Sequence, residues 1–172
     1  MNIGSLLTKS ARTYPQRPCI CYGNKEWTYA QSNARVNQLA NAFRSLGIEK
    51  GDQVAILQVN CPQMIETMFA CFKAGLCTVP INWRLHPKEY SFIIDHSDSV
   101  AVIFSEGFRN PLYAEKEGMP KVKHYICLSN PTEGMLDYEA LITDQSTEFD
   151  DVEVARDDVA WLFYTSGTTG LP

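Results

Sequence analysis

The chain has 172 residues, of which 45% are hydrophobic and 20% are charged, and its formal net charge is −5 at pH 7. This length is enough for one globular domain with a hydrophobic core, and the composition is that of an ordinary soluble protein. The negative charge and the scattered lysines and arginines argue against a dedicated nucleic-acid binder, which carries a basic face.

The first ten residues lack the charged start, apolar run and small cleavage residues of a secretory signal. No stretch of the sequence approaches the roughly 18 uninterrupted apolar residues of a membrane span. We therefore expect a cytoplasmic protein without a membrane span.

Six cysteines raise the question of disulfides or a zinc site. No two of them form a Cys-x-x-Cys pair, and the three histidines show no ligand-like spacing to them. Cysteine in an intracellular protein is most often a small buried hydrophobe. We therefore expect the cysteines to be packing residues.

The pattern of apolar residues and turn signals alternates between helices and strands along the chain. In order, it predicts a helix over 3–14, strands over 18–22 and 25–29, a helix from 28 to 46, a strand over 54–57, a helix from 62 to 75, a strand over 76–81, a helix over 87–96, a strand over 100–104, a helix over 107–117, a strand over 122–128, a short helix over 138–142 and a strand over 159–164.

The helix that begins near Thr28 has the clearest signals. Thr28 and Gln31 form a capping-box pattern, in which the two side chains satisfy otherwise unpaired backbone amides. Val36, Leu39 and Phe43 then lie on one apolar face, so we expect this helix to pack in the core.

Strands that alternate with helices of about ten residues indicate a largely parallel sheet flanked by helices, so we predict an α/β fold. The weakest stretch is 130–158, where Pro, Thr, Asp and Glu are frequent. We expect a surface loop there, mobile over 144–151.

The last residues are the most informative for chemistry. The apolar segment 159–164 leads into a loop of glycines and hydroxyl residues, namely Thr165, Ser166, Gly167, Thr168, Thr169 and Gly170. Glycine lets backbone amides approach a ligand closely, and successive amides that point into one concavity bind anions. The residues alone leave two interpretations open, a candidate phosphate loop and an ordinary Ser/Thr/Gly-rich surface turn.

Residues 164–172, Tyr-Thr-Ser-Gly-Thr-Thr-Gly-Leu-Pro, resemble the signature loop of the adenylate-forming superfamily, which contains acyl-CoA synthetases, luciferases and peptide-synthetase adenylation domains. Blocks at 28–29, 46–48, 51–56 and 69–75 resemble that family's N-terminal region in order and spacing. The block at 80–85, Pro-Ile-Asn-Trp-Arg-Leu, is most similar to the acyl- and aryl-CoA synthetases.

This resemblance implies that the complete enzyme uses ATP to activate a small-molecule carboxylic acid, fatty or aromatic, as an acyl-adenylate and then transfers the acyl group to coenzyme A. It implies that Thr165, Ser166, Gly167, Thr168, Thr169 and Gly170 hold the β- and γ-phosphates of ATP. It also implies that Thr165 helps to hold Mg²⁺, which neutralises charge on the leaving pyrophosphate.

The resemblance further implies that residues 1–172 are the N-terminal part of the AMP-binding domain, truncated inside the phosphate-binding loop. The rest of that domain and the C-terminal domain with its catalytic lysine lie outside the chain, so we assign it no catalytic residue. We expect the chain alone to be inactive, and to self-associate through apolar surface that the absent part would cover.

Other residues and functions stay open beside this interpretation. We expect Lys73 and Arg84 to be solvated or paired with a carboxylate rather than bound to phosphate, and Trp83 to be a packing residue. The chain could also be a natural short binding or assembly module of the same fold. A third alternative is an adenylating enzyme whose acceptor is a carrier protein, or one with luciferase-like chemistry.

Overall fold

A sheet of five parallel strands with helices on both faces forms the body of the computed structural model, which describes residues 2–165. This architecture confirms the predicted α/β fold. The elements in chain order are α1 (Ser5–Thr13), β1 (Pro18–Tyr22), β2 (Lys25–Thr28), α2 (Tyr29–Ser45), β3 (Gln53–Leu57), α3 (Pro62–Ala74), β4 (Cys77–Pro80), α4 (Pro87–His96), β5 (Ser99–Phe104), α5 (Arg109–Ala114), β6 (His124–Cys127), β7 (Leu136–Asp137) and α6 (Tyr138–Thr143).

The strand order in the sheet is β4-β3-β5-β6-β7, and β1 and β2 form a separate antiparallel hairpin. After β3 the chain moves outward to β4, and it then returns across β3 to β5 on the other side. The carboxyl ends of β3 and β5 therefore flank the point where the strand order reverses, which is where open α/β sheets usually bind ligands.

The two faces of the sheet bury different residues, because neighbouring residues on a strand point to opposite sides. On β5, Ala101 and Ile103 pack with α1, α2, α3 and α6, and we call this the first face. Val102 and Phe104 pack with α4 and α5, and we call this the second face.

The long helix α2 forms as its sequence predicts. The Gln31 backbone amide donates to Oγ1 of Thr28 at 3.2 Å, and the Thr28 amide donates to Oε1 of Gln31 at 2.8 Å, so the capping box is confirmed. Val36, Leu39 and Phe43 are almost completely buried, which confirms the core packing of this helix.

Three local predictions differ from the structure. The helix predicted over 107–117 is divided into α5 and two flanking 3₁₀ turns, Glu106–Phe108 and Lys116–Gly118. Residues 159–164 form only an isolated parallel bridge, at Trp161, instead of a strand. The stretch 144–151, predicted to be mobile, is held by side chains of α2, which donate to four of its carbonyl oxygens.

The cysteines are less uniform than predicted. Cys71, Cys77 and Cys127 are buried, and Cys19 and Cys61 are half-buried, in agreement with a packing role. Cys21 is exposed and does not follow that prediction. No helix among residues 2–165 is both long and apolar enough to cross a membrane.

Candidate functional site

Residues 159–165, which we call the approach segment, lead to the glycine-rich motif along the open edge of the sheet. The Thr78 amide donates to the Ala160 carbonyl and the Leu162 amide donates to the Thr78 carbonyl, each at 2.9 Å. These bonds set the segment parallel to β4. Since β4 ends two residues after Thr78, Tyr164 and Thr165 come just beyond the carboxyl end of the sheet.

Side chains of the approach segment alternate between a packed side and an exposed side. Leu162 and Tyr164 pack against the core of the second face. The other side carries an aromatic stripe, which we define as Val159, Trp161 and Phe163, with exposed fractions of 58%, 40% and 64%. The Trp161 ring lies 5.2 Å from the rings of both Phe72 and Phe163, so the stripe is ordered by aromatic contacts although it is open to solvent.

Tyr164, the residue directly before the first motif threonine, is fixed by α4. Its hydroxyl lies 2.8 Å from Nδ1 of His96, the last residue of that helix. The two rings meet edge to face, with centroids 5.7 Å apart. Burial raises the pKa of the Tyr164 phenol, as expected for a half-buried hydroxyl.

An ion pair holds the start of the approach segment. Nζ of Lys50 lies 2.7 Å from Oδ2 of Asp158, and the same carboxylate oxygen accepts a bond from the Ala155 amide at 2.8 Å. The bond from Lys50 is the main reason that the pKa of Asp158 is lowered. The pair is at the surface, so we expect it to add little to the free energy of unfolding.

Lys73, a residue that we considered for phosphate contact, is buried and committed to structure. Its ammonium donates to Oγ1 of Thr8 at 2.6 Å, Oδ1 of Asn33 at 2.7 Å and Oδ1 of Asn37 at 2.8 Å. Oδ1 of Asp151 lies 3.5 Å away, which confirms the predicted pairing with a carboxylate. Burial lowers the pKa of this lysine, and the neighbouring carboxylate opposes that effect.

Of the predicted phosphate-loop residues, the structure describes only Thr165, which is exposed beyond the carboxyl end of β4. Ser166, Gly167, Thr168, Thr169 and Gly170 lie outside the described residues, so their roles stay predictions. Within residues 2–165, no group of three or more His, Cys, Asp or Glu side chains could hold a metal ion.

An open groove of about 730 Å³ lies where the strand order reverses between β3 and β5. At its floor the Val59 amide donates to Oγ of Ser105 at 3.1 Å. On one wall Arg84 lies over the Trp83 ring, 5.0 Å from its centre. Trp83 is 39% exposed, so it is not the packing residue that was predicted. Ser105 was not among the predicted site residues, although it directly follows a buried strand, where ligand-binding residues of open α/β sheets usually lie.

Comparison with known proteins agrees with this geometry. The profile of the family described as "AMP-binding enzyme" matches residues 7–172. A 3-oxocholest-4-en-26-oate–CoA ligase of Rhodococcus rhodochrous is 32% identical over 178 aligned residues, which cover 100% of this chain and 32% of that protein. A feruloyl-CoA synthase of an Amycolatopsis species is 34% identical, with 99% of this chain and 32% of that protein covered.

Solved structures show the same correspondence in three dimensions. The anthranilate CoA ligase AuaEII, in complex with anthranoyl-AMP, superimposes with a TM-score of 0.96 at 26% identity, covering 100% of this chain and 33% of that chain. A fatty acyl CoA synthetase of Mycobacterium tuberculosis gives a TM-score of 0.86 at 29% identity, covering 96% and 32%. The chain thus spans about a third of the length of the relatives it matches.

Proposed function

Because this chain belongs to the AMP-binding enzyme family, we propose that it forms the N-terminal third of an ATP-dependent acid–CoA ligase. That enzyme activates a carboxylic acid as an acyl-adenylate and passes the acyl group to coenzyme A. The feruloyl-CoA synthase, the anthranilate CoA ligase and the fatty acyl CoA synthetase among the similar proteins support a fatty or aromatic acid as substrate. The predicted cytoplasmic location and absence of nucleic-acid binding stay predictions.

The observation that carries this proposal is the course of the approach segment. It runs parallel to β4, and Thr165 is exposed past the carboxyl end of the sheet. Ligands of open α/β sheets bind beyond the carboxyl ends of the strands, and an exposed hydroxyl there is a suitable donor to phosphate oxygens. The position of the motif's first residue therefore fits a nucleotide better than it fits an uncommitted surface turn.

In the proposed enzyme, Thr165, Ser166, Gly167, Thr168, Thr169 and Gly170 hold the β- and γ-phosphates through hydroxyl and backbone amide donors. Mg²⁺ would neutralise charge on the departing pyrophosphate, and the Thr165 oxygen is a hard ligand of the kind that this ion accepts. The carboxylate of the substrate attacks the α-phosphorus, and pyrophosphate leaves. A thiol then displaces AMP from the acyl group.

We propose that residues 1–172 alone catalyse neither step. Adenylation needs donors around all three phosphates and the carboxylate at once, and the chain spans only about a third of its relatives. Hydrogen bonds to a charged group contribute about 1.5–3 kcal/mol each, and ordering a loop costs about 1–2 kcal/mol per residue. These contributions nearly cancel, so we expect the chain to bind ATP more weakly than about 1 mM.

Pyrophosphate exchange into ATP tests the proposal. A longer enzyme that begins with residues 1–172 should show exchange that depends on Mg²⁺ and on a fatty or aromatic acid, whereas the chain alone should show none while keeping its circular dichroism. The longer enzyme without acid is the matched control. Acid-independent exchange, or acid-dependent exchange by residues 1–172, would contradict the proposal.

A further inference from the structure

The carboxyl end of α4 contacts the approach segment at its last residue before the glycine-rich motif. His96 ends α4, and Tyr164 follows it by 68 residues in sequence, yet the imidazole Nδ1 and the phenol oxygen are 2.8 Å apart. Within residues 2–165, this is the side-chain hydrogen bond closest in sequence to the motif. The contact therefore joins the entry of the motif to a helix of the second face.

The helix that carries His96 is well fixed. At its other end, Nδ1 of His86 accepts a bond from the Lys88 amide, and the His86 amide donates to Glu89 at 2.7 Å, which closes a capping box. Ile93 and Ile94 anchor the helix in the core of the second face. His96 itself is exposed, so its position is set by the fixed helix and not by burial of its own side chain.

The imidazole itself has a defined orientation. Its ring lies 5.3 Å from the Phe92 ring, one helical turn earlier, and meets the Tyr164 ring edge to face. These two aromatic contacts aim Nδ1 at the phenol oxygen. In the neutral imidazole that carries its proton on Nε2, Nδ1 accepts the Tyr164 proton.

The approach segment has few other attachments at this point. Its backbone bonds to β4 end at Leu162, Phe163 is largely exposed, and Thr165 is exposed. A loop that begins from a fixed residue loses less conformational freedom when it closes on a ligand than a loop that begins from a free one. Fixing Tyr164 therefore sets the starting point for the donors of Thr165 and the residues after it.

We propose that His96 is a positioning residue for the phosphate loop, acting through the hydroxyl of Tyr164. This role rests on the proposed function, since it gives His96 a share in ATP binding without any contact with ATP. Loss of one neutral hydrogen bond weakens an equilibrium about threefold to tenfold. The effect should fall on the affinity for ATP, because in the proposed enzyme this loop holds the phosphates of ATP.

The first experiment tests the contact in residues 1–172. Because the chain has three histidines, ¹⁵N NMR of the imidazoles can be assigned with a His96→Asn variant. Tyr164→Phe should shift the Nδ1 signal of His96 and leave the signals of His86 and His124 unchanged. A His96 signal that ignores Tyr164→Phe would overturn the proposal.

The second experiment measures acid-dependent pyrophosphate exchange in the longer ligase. His96→Phe keeps the ring but removes the nitrogen, and it should raise KM for ATP threefold to tenfold while KM for the acid changes less than twofold. Tyr164→Phe should act equally, and the double variant should add nothing. His96→Asn, whose Oδ1 can replace Nδ1, should restore most of the affinity for ATP.

His86→Asn is the matched control, because it changes a histidine at the opposite end of the same helix and keeps a good capping residue. It should leave KM for ATP unchanged. Equal changes in KM for ATP and for the acid, or additive effects of His96→Phe and Tyr164→Phe, would show a merely structural role and overturn the proposal. A wild-type ligase without acid-dependent exchange would overturn the proposed function and this role together, whatever the NMR signals show about the contact.

Discussion

The two faces of the sheet are stabilised in different ways. On the first face, buried polar side chains tie the helices together, through Lys73 in one place and through Arg35 and Glu66 in another. On the second face, α4 and α5 bury mainly apolar side chains, and the Tyr90 hydroxyl has no hydrogen-bond partner among residues 2–165. Only the second face meets the approach segment through its core, at Leu162 and Tyr164.

The polar groups of the first face replace secondary structure where the chain has none. Side-chain amides of Asn37 and Asn41 donate to the carbonyls of Thr147, Ser146 and Glu148 at 2.7–2.9 Å, so side-chain bonds hold this irregular stretch against α2. The approach segment has fewer such bonds: Oγ1 of Thr78 donates to the Ala160 carbonyl at 3.3 Å and His96 contacts the Tyr164 hydroxyl, while one parallel bridge and aromatic contacts complete its support. The first face is therefore a fixed scaffold, whereas the sheet edge that carries the approach segment is open to a ligand or to another part of an enzyme.

The largest effect should follow from Lys73→Met, which removes the central cation of the first face. The change leaves Oδ1 of Asn33 and Oδ1 of Asn37 without their donor, and it leaves the Asp151 carboxylate without its cation. Breaking a buried polar network by deleting one member typically costs about 3–5 kcal/mol. Urea unfolding followed by circular dichroism should show a loss of this size in the free energy of unfolding.

Lys9→Met is the control for that loss, because it removes a lysine that is exposed on α1. Its free energy of unfolding should stay within about 0.5 kcal/mol of the wild type. If Lys73→Met costs less than about 1 kcal/mol, the network is not the main support of the first face.

Tyr138→Phe should have the next largest effect. The Tyr138 hydroxyl is buried and donates to Oε2 of Glu66 at 2.8 Å, while Arg35 holds the same carboxylate with a bond of 2.6 Å to its other oxygen. A hydrogen bond to a charged group contributes about 1.5–3 kcal/mol, so the free energy of unfolding should fall by about that amount. A change below about 0.5 kcal/mol would mean that Arg35 alone satisfies Glu66.

The aromatic stripe gives a prediction about association instead of folding. We expect residues 1–172 to self-associate in solution, because Trp161 and Phe163 present a contiguous apolar surface. The double variant Trp161→Ser/Phe163→Ser should weaken association at least about tenfold, measured by sedimentation equilibrium, since burying each ring is worth more than about 1 kcal/mol. The free energy of unfolding should change much less.

Tyr22→Ser is the matched control, because Tyr22 is exposed by 53% on the β1–β2 hairpin, outside the stripe. It should leave the association constant unchanged. A wild-type chain that stays monomeric at high concentration, or equal weakening by Tyr22→Ser, would remove the stripe as the contact surface.

Local features of the fold could be predicted from the sequence, whereas contacts between distant residues could not. Periodicity and turn chemistry correctly predicted the parallel sheet and the capping box of Thr28, because those signals are local. The bond between His96 and Tyr164 was not predicted, because it joins residues far apart in the chain. For the same reason, the sequence did not show that Asn37 and Asn41 hold a stretch expected to be mobile.

The phosphate loop was predicted in another way. Its composition left a surface turn as an equal alternative, and resemblance to a family decided between them. The structure adds the course of the approach segment and the exposure of Thr165. The strand predicted at 159–164 failed because β4 has only four residues and pairs with the segment at one position.

The smallest effect should come from Tyr90→Phe, the counterpart of Tyr138→Phe on the second face. The Tyr90 hydroxyl is buried without a partner among residues 2–165, so its removal should leave the free energy of unfolding at pH 7 unchanged or raise it by up to about 1 kcal/mol. A loss of stability in Tyr138→Phe without a loss in Tyr90→Phe would confirm that the buried hydroxyl of the first face stabilises the fold and that of the second face does not.

Alkaline pH sharpens this comparison. Burial raises the pKa of Tyr90 to about 12, whereas an unfolded tyrosine ionises near 10. Because the folded-state pKa is the higher one, ionisation of this group leaves the free energy of unfolding unchanged below about pH 10 and lowers it as the pH rises toward about 12. At pH 10.5 the wild type should already have lost about 0.8 kcal/mol through Tyr90, and Tyr90→Phe should be spared that loss. Urea unfolding of both proteins at pH 8 and pH 10.5 measures the difference, and equal losses in the two proteins would show that the Tyr90 hydroxyl reaches solvent.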